Sequence, residues 1–177
     1  MFLLGPGAGV AAELVSLDVR REAGVVYVAS ELRIAAPRPQ VFAALSDYAN
    51  LPNLSSRFKE SRLDVDAAGT THVYTRLEGC VWFFCRSVTR HAVLQTEAPS
   101  WILATVDPDR SDFEYGVERW DLTQTDDMTT VRYTHELDPK FWVPPVIGVW
   151  VIRKTLQSDA LKAARKIERM ARAEGAR

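Results

Sequence analysis

The stretch Phe141-Trp142-Val143-Pro144-Pro145-Val146-Ile147-Gly148-Val149-Trp150-Val151-Ile152 decides how the rest of the chain is read. Its two prolines fix the backbone where a missing N–H costs least, which predicts Val146 or its neighbour as the first helical residue. From there Val149, Ile152, Leu156, Ala160, Ala163, Ile167 and Met170 recur at steps of three or four. That spacing is one face of a long amphipathic helix. Lys162, Arg165, Lys166, Arg169 and Arg172 crowd its C-terminal half, on the end that the helix dipole makes partly negative. The first two turns are apolar nearly all round and need cover on several sides.

Upstream of the helix the chain alternates extended segments with turn signals. Val25 to Ile34 is rich in valine and reads as a strand, with a weaker one at Glu13 to Arg20 and a turn at Arg21-Glu22-Ala23-Gly24 between them. After Ala35-Ala36-Pro37-Arg38-Pro39 the pattern changes, and Val41, Phe42, Ala44 and Leu45 predict a short helix ending near Ser46. Asp47 is placed to cap a second short helix through Leu51, limited by Pro52. About six strands follow up to Pro139, punctuated by Ala68-Gly69, Asp107-Pro108-Asp109 and Asp126-Asp127. A single long helix after many short strands predicts an α+β domain, a curved antiparallel sheet wrapped around the C-terminal helix. Two short helices follow the first long strand. Residues 13–173 are expected to form this one domain, with a flexible start at 1–12 and a flexible tail at 174–177.

Composition narrows the function classes. Of 177 residues, 47% are apolar and 25% charged, an ordinary globular balance. The formal charge of −1 gives no bulk basicity, so nucleic acid is not an expected partner. No run approaches the roughly 18 apolar residues of a membrane span, so stable insertion is not expected, and transient contact with a membrane surface is left open. Met1 to Val15 is apolar but has no Lys or Arg, unlike the charged start of a secretory signal, so a cytoplasmic location is expected. The oligomeric state is not legible. Cys80 and Cys85 are too few for a zinc site, and His72, His91 and His135 show no ligand spacing; neither metal nor cofactor is expected. Buried free thiols are the favoured reading of the cysteines, with a disulfide as the alternative, because cytosolic chains rarely keep one. There is no Gly-x-Ser-x-Gly or HExxH, and no catalytic residue is assigned.

Two segments carry a resemblance. Ile34-Ala35-Ala36-Pro37-Arg38-Pro39-Gln40-Val41-Phe42-Ala43-Ala44-Leu45-Ser46-Asp47-Tyr48-Ala49-Asn50-Leu51-Pro52 resembles the opening signature of the START-like, or polyketide cyclase/SRPBCC, superfamily. Trp120-Asp121-Leu122, then Tyr133, then Asp138 to Pro145 resemble its coenzyme Q-binding-protein-like and cyclase-like branch. The resemblance implies a helix-grip (START-like, Bet v 1-like) fold, in which the sheet grips the last helix and leaves an apolar cavity. Members bind lipids, quinones, polyketides or hormones, and a minority catalyse cyclisation.

Strand parity places His135 with Val131, Tyr133 and Leu137 towards the core, where a polar group needs a partner: a ligand oxygen or a neighbouring side chain. Tyr133 has the same two readings. Arg86 and Arg90 share their strand face with Val88, Ala92 and Leu94, and are expected to cover an edge with their stems rather than reach into the cavity. Aromatics cluster in the second half, mostly as core. Expected ligand-binding positions are Tyr133, His135, Trp120, Trp142, Trp150 and Val146, with Trp142 and Trp150 at the cavity mouth. The expected function is binding or transport of an apolar small molecule, a lipid, quinone or polyketide-like compound, without covalent chemistry. The alternatives are a cyclase or aromatase using pocket polar groups, and a protein acting on a macromolecule. A convergent set of polar side chains in the pocket separates the first two.

Overall fold

The structure is a computed structural model that describes residues 12–81, 84–143 and 149–175. Strands β1 (Glu13–Glu22) and β2 (Val25–Ile34) are followed by helix α1 (Arg38–Ser46), a 3-10 turn (Tyr48–Asn50) and helix α2 (Leu51–Leu54). Strands β3 (Phe58–Val65), β4 (Thr71–Val81), β5 (Phe84–Glu97), β6 (Trp101–Val106), β7 (Phe113–Thr125) and β8 (Met128–Pro139) come next, and helix α3 (Val149–Gly175) ends the chain. The eight strands form one sheet in the order β1-β2-β8-β7-β6-β5-β4-β3, antiparallel throughout. The β2–β8 pairing closes the sheet's order across the two short helices, and six strands lie between those helices and α3, as the turn signals predict.

Local sequence explains both the turns and the curvature. The β1–β2 turn needs positive φ at Ala23 (48°) and Gly24 (97°), a conformation that glycine adopts without a Cβ penalty. Register shifts at Leu14/Ser16, Phe58/Glu60 and Phe113/Tyr115 insert extra residues that bend their strands. On the inner face of β7, Gly116 leaves room that its neighbours occupy: a Cβ there would stand 2.6 Å from Val106 Cγ2 and 3.0 Å from Leu137 Cδ1.

The core fills one end of the concave face. Leu32, Ile34, Ile102, Leu122 and Val131 from the sheet meet Val41, Phe42 and Ala44 of α1 and Ala164 and Ile167 of α3. Helix α3 packs on β1, β2 and α1. It is tied on one flank by Arg153 to Asp18 of β1 (3.5 Å) and on the other by Arg57 to Asp159 (2.5 Å). The Lys166 ammonium also donates to the Asn53 carbonyl, so the helix bridges from the β1 edge to α2.

Several expectations need correction. The buried stripe of α3 runs through Ala160, Ala164 and Ile167 rather than Ala163, because steps of four and three keep to the face that meets α1 and β2. Glu168 is buried beside that stripe and accepts the Ala12 N–H at 2.9 Å. Asp47 makes no side-chain cap; its carboxylate takes the Asn50 side-chain amide instead. Cys85 is disulfide-bonded, and Cys80, the chain's one other cysteine, stands directly opposite it across β4 and β5. The reading as free thiols rested on an expected cytosolic setting; the strands run on to Val81 and Phe84, and cross-strand opposition brings the two residues into bonding range. Val146, the expected start of the helix, and Gly148 lie outside the described residues.

Candidate functional site

Beyond the core end, the same concave face becomes polar. Strand β8 presents Val131, Tyr133 and His135 in turn, and β7 sets Leu122, Trp120 and Glu118 directly opposite them. The first row, Val131 and Leu122, is fully buried. In the second, Trp120 and Tyr133 stack with ring centroids 4.1 Å apart and planes inclined by 41°. The third pairs His135 with Glu118. Trp120, Glu118, Tyr133 and His135 all keep some accessible surface although they share a face with the core. Arg90 approaches from β5, opposite Thr75 of β4, and Tyr48 of the 3-10 turn packs over Val73, Ala92 and Ala104 beside them.

The charges are paired and the hydrogen bonds are not all used. Arg90, 8% exposed, holds its Nη2 2.6 Å from Glu118 Oε2. The Tyr133 hydroxyl oxygen lies 3.0 Å from His135 Nδ1. His135 Nε2, Arg90 Nε and Thr75 Oγ1 are buried without a hydrogen-bond partner. Buried polar atoms are nearly always paired, so three orphans converging on one face mark a place where a further molecule would satisfy them.

Burial sets the protonation states. It pushes the Glu118 carboxyl up, but the adjacent Arg90 guanidinium more than offsets this and holds it below the ordinary carboxylate value. Burial and the Glu118 charge raise Tyr133 well above the ordinary tyrosine value, and the same two causes raise Tyr48. Burial, with Arg90 adding to it and Glu118 opposing, lowers His135 to about 4. At neutral pH the cluster therefore holds one ion pair, two neutral phenols and a neutral imidazole. Among the described residues no group of three His, Cys, Asp or Glu could hold a metal ion.

The structure brings together three of the expected positions, Tyr133, His135 and Trp120. Trp142 is 71% exposed, on the segment between β8 and α3. Trp150 belongs to α3, but its side chain, like the whole of Val146, lies outside the described residues. Arg90 corrects the edge-covering expectation: it points inward, and Glu118 is what makes its burial tolerable. Arg86 does stay exposed, its guanidinium 4.1 Å from the centroid of Phe141. The acidic pairs are turn residues as expected, Asp107 accepting the Asp109 N–H at 3.1 Å and Asp126 sitting at φ 52°. Glu118 is the residue sequence reading missed. Its signal was parity: Gly116, Glu118, Trp120 and Leu122 alternate onto one face, and the two beyond Glu118 are plainly apolar.

Fold and site together define a START-like protein, an antiparallel sheet gripping its last helix over a polar-floored concave face. The chain belongs to the polyketide cyclase / dehydrase and lipid transport family, whose model matches residues 34–165. Solved structures show the same fold. The di-domain ARO/CYC StfQ from the steffimycin biosynthetic pathway is 14% identical with a TM-score of 0.62; the alignment covers 86% of this chain and 52% of that one. This chain thus spans about half the length of that di-domain protein. The Zhui aromatase/cyclase from Streptomyces sp. R1128 is 17% identical with a TM-score of 0.59, covering 85% of this chain and 98% of that one. The STAR-related lipid transfer protein from Xanthomonas axonopodis is 16% identical with a TM-score of 0.60, covering 86% and 98%. At such identities the likeness concerns the fold alone. No curated protein matches the sequence.

Proposed function

We propose that this protein binds an apolar small molecule in a cavity between the concave sheet face and α3, with Arg90, Glu118, Tyr133 and His135 as the polar end that orients it. The observation that carries this reading is the set of buried, unpartnered atoms, His135 Nε2, Arg90 Nε and Thr75 Oγ1, on a face whose other end is apolar core. A core evolved only for stability pairs such groups or replaces them with hydrocarbon. The apolar body of a ligand would supply the driving force, about 25 cal/mol per Å² removed from water. Family membership agrees, since its description includes lipid transport. Native mass spectrometry of protein purified from its own host, followed by organic extraction, tests the reading. A co-purifying apolar compound is expected. Absence of any such compound, with no binding of lipids, quinones or phenols at micromolar concentration, sinks it and moves the macromolecular-partner alternative to first place.

A second reading is favoured by the number of polar groups. Sequence parity alone brings two, Tyr133 and His135, to the pocket; Glu118, Arg90 and Tyr48 raise the set to five. That convergence is what a cyclase or aromatase needs, with a neutral imidazole as base for an aldol closure and a buried cation near the developing enolate oxygen. Turnover of a poly-β-ketone mimic to an aromatic product, abolished in His135→Phe, would establish this reading over simple carriage.

A further inference from the structure

Unpartnered polar atoms of the concave face stand in file across neighbouring strands. Ser61 of β3 lies directly opposite Thr75 of β4, and Thr75 directly opposite Arg90 of β5. Thr75 and Arg90 share their face with Val73 and Ala92, on which Tyr48 packs, so the row looks into the concavity. Ser61 Oγ, Thr75 Oγ1 and Arg90 Nε are all buried without a hydrogen-bond partner; Thr75 is 1% exposed. Side chains directly opposite on antiparallel strands stand about 5 Å apart, so one oxygen between two neighbours of the row reaches both. The row is polar but its charge is already balanced. Glu118 neutralises Arg90 at 2.6 Å, and the two hydroxyls each donate and accept. Arg86, on the same face of β5, stays exposed over Phe141, about 13 Å further along the strand. Arg57, which approaches Gly79 of β4, is tied to Asp159 of α3.

Resting on the cavity reading above, we propose that the row Ser61–Thr75–Arg90 is a head-group subsite for a neutral lipid whose head carries two or more hydroxyl groups, as a monoacylglycerol does, and that it rejects a free carboxylate. One hydroxyl fits between Ser61 and Thr75, and a second between Thr75 and the Arg90 Nε–H. A head without hydroxyls leaves part of the row buried and unsatisfied, which costs affinity. A carboxylate would leave water only to meet the buried Glu118 charge and compete with it for Arg90.

Three probes that share one chain and differ at the head test this on the intact protein at pH 7. They are 1-decanoylglycerol, methyl decanoate and decanoate, each measured by equilibrium dialysis. Wild type is expected to bind the glyceride about tenfold tighter than the methyl ester, and decanoate more weakly than either. Thr75→Val keeps the side-chain shape and removes the middle hydroxyl of the row. It should cut the preference for the glyceride to under about threefold and leave methyl ester affinity unchanged. Ser61→Ala, on the edge strand, should lower the same preference by a smaller factor. Because Thr75→Val also removes an unsatisfied buried group, the unliganded variant should melt about 2–4 °C above wild type. A lower melting temperature would mean that Thr75 is already bonded without ligand, and overturns this inference. So do equal affinity for glyceride and methyl ester, decanoate binding as tightly as the glyceride, and a preference untouched in Thr75→Val. Each of these leaves the cavity reading standing. Failure of all three probes to bind overturns both.

Discussion

Arg90 and Glu118 are each tolerable inside the domain only because of the other. Removing one partner leaves an uncompensated buried charge, which costs far more than replacing both. Arg90→Met is therefore expected to lose about 3 kcal/mol in urea unfolding, and the double variant Arg90→Met with Glu118→Leu to recover most of it. Additive losses in that cycle would show that the two side chains do not act as a pair. His135 gives a second prediction at this scale. Its folded value of about 4 lies below the 6.5 of the unfolded chain, so between these pH values only the unfolded state takes up the proton. Stability should then fall as pH drops from 6.5 towards 4, by up to about 1.4 kcal/mol per unit, and be insensitive to this group above 6.5. Glu118, depressed in the folded state, adds a loss in the same direction at still lower pH. Unfolding measured at pH 7, 5.5 and 4.5 should show a shallower slope in His135→Gln than in wild type; parallel slopes would remove this account.

At the scale of elements, the β4–β5 hairpin carries the feature with the clearest consequence. Cys85 is disulfide-bonded opposite Cys80 at the end of two strands. Closing so short a loop restricts the unfolded chain modestly, so Cys80→Ser with Cys85→Ser should cost about 2 kcal/mol and leave the ligand site intact. Thiol titration of unreduced protein should find no reactive thiol, and two after reduction and denaturation. Because disulfides persist in oxidising compartments and are rare in the cytosol, the same titration on protein from its native host tests the cytoplasmic location. Two free thiols there would support it, and none would count against it. Helix α3 is the other deciding element. Its ties through Arg153, Asp159 and Lys166 reach the β1 edge on one flank and α2 with the residues after it on the other.

For the whole molecule, the division of the concave face matters most. One end is filled by α1 and the C-terminal half of α3, and the other ends in the Arg90–Glu118–Tyr133–His135 cluster. A ligand that binds only the folded state shifts the equilibrium by mass action. At a hundred times its Kd, 1-naphthol should add about 2.7 kcal/mol to the unfolding free energy, several degrees in Tm. The shift should be absent in Arg90→Met. A full shift in that variant would mean that the probe binds away from the polar cluster. Among the described residues no helix is long and apolar enough to cross a membrane.

The sequence by itself determined the kind and order of the elements. Valine-rich alternation, the Pro37-Arg38-Pro39 break and the i, i+3, i+4 recurrence after Val149 are local signals, read within a few residues of where they act. Strand parity carried Tyr133 and His135 to the inner face for the same reason. What lay beyond it were relations between residues distant in the chain. Arg90 meets Glu118 only because β5, β6 and β7 are neighbours with one register, and Cys80 stands opposite Cys85 only through the register of β4 and β5. Nothing in Arg90's own surroundings shows that its counter-charge comes from β7, so covering an edge was the natural reading of its stem. The tertiary structure decided which polar groups share a dielectric environment, and therefore which are ionised and which atom of His135 remains open.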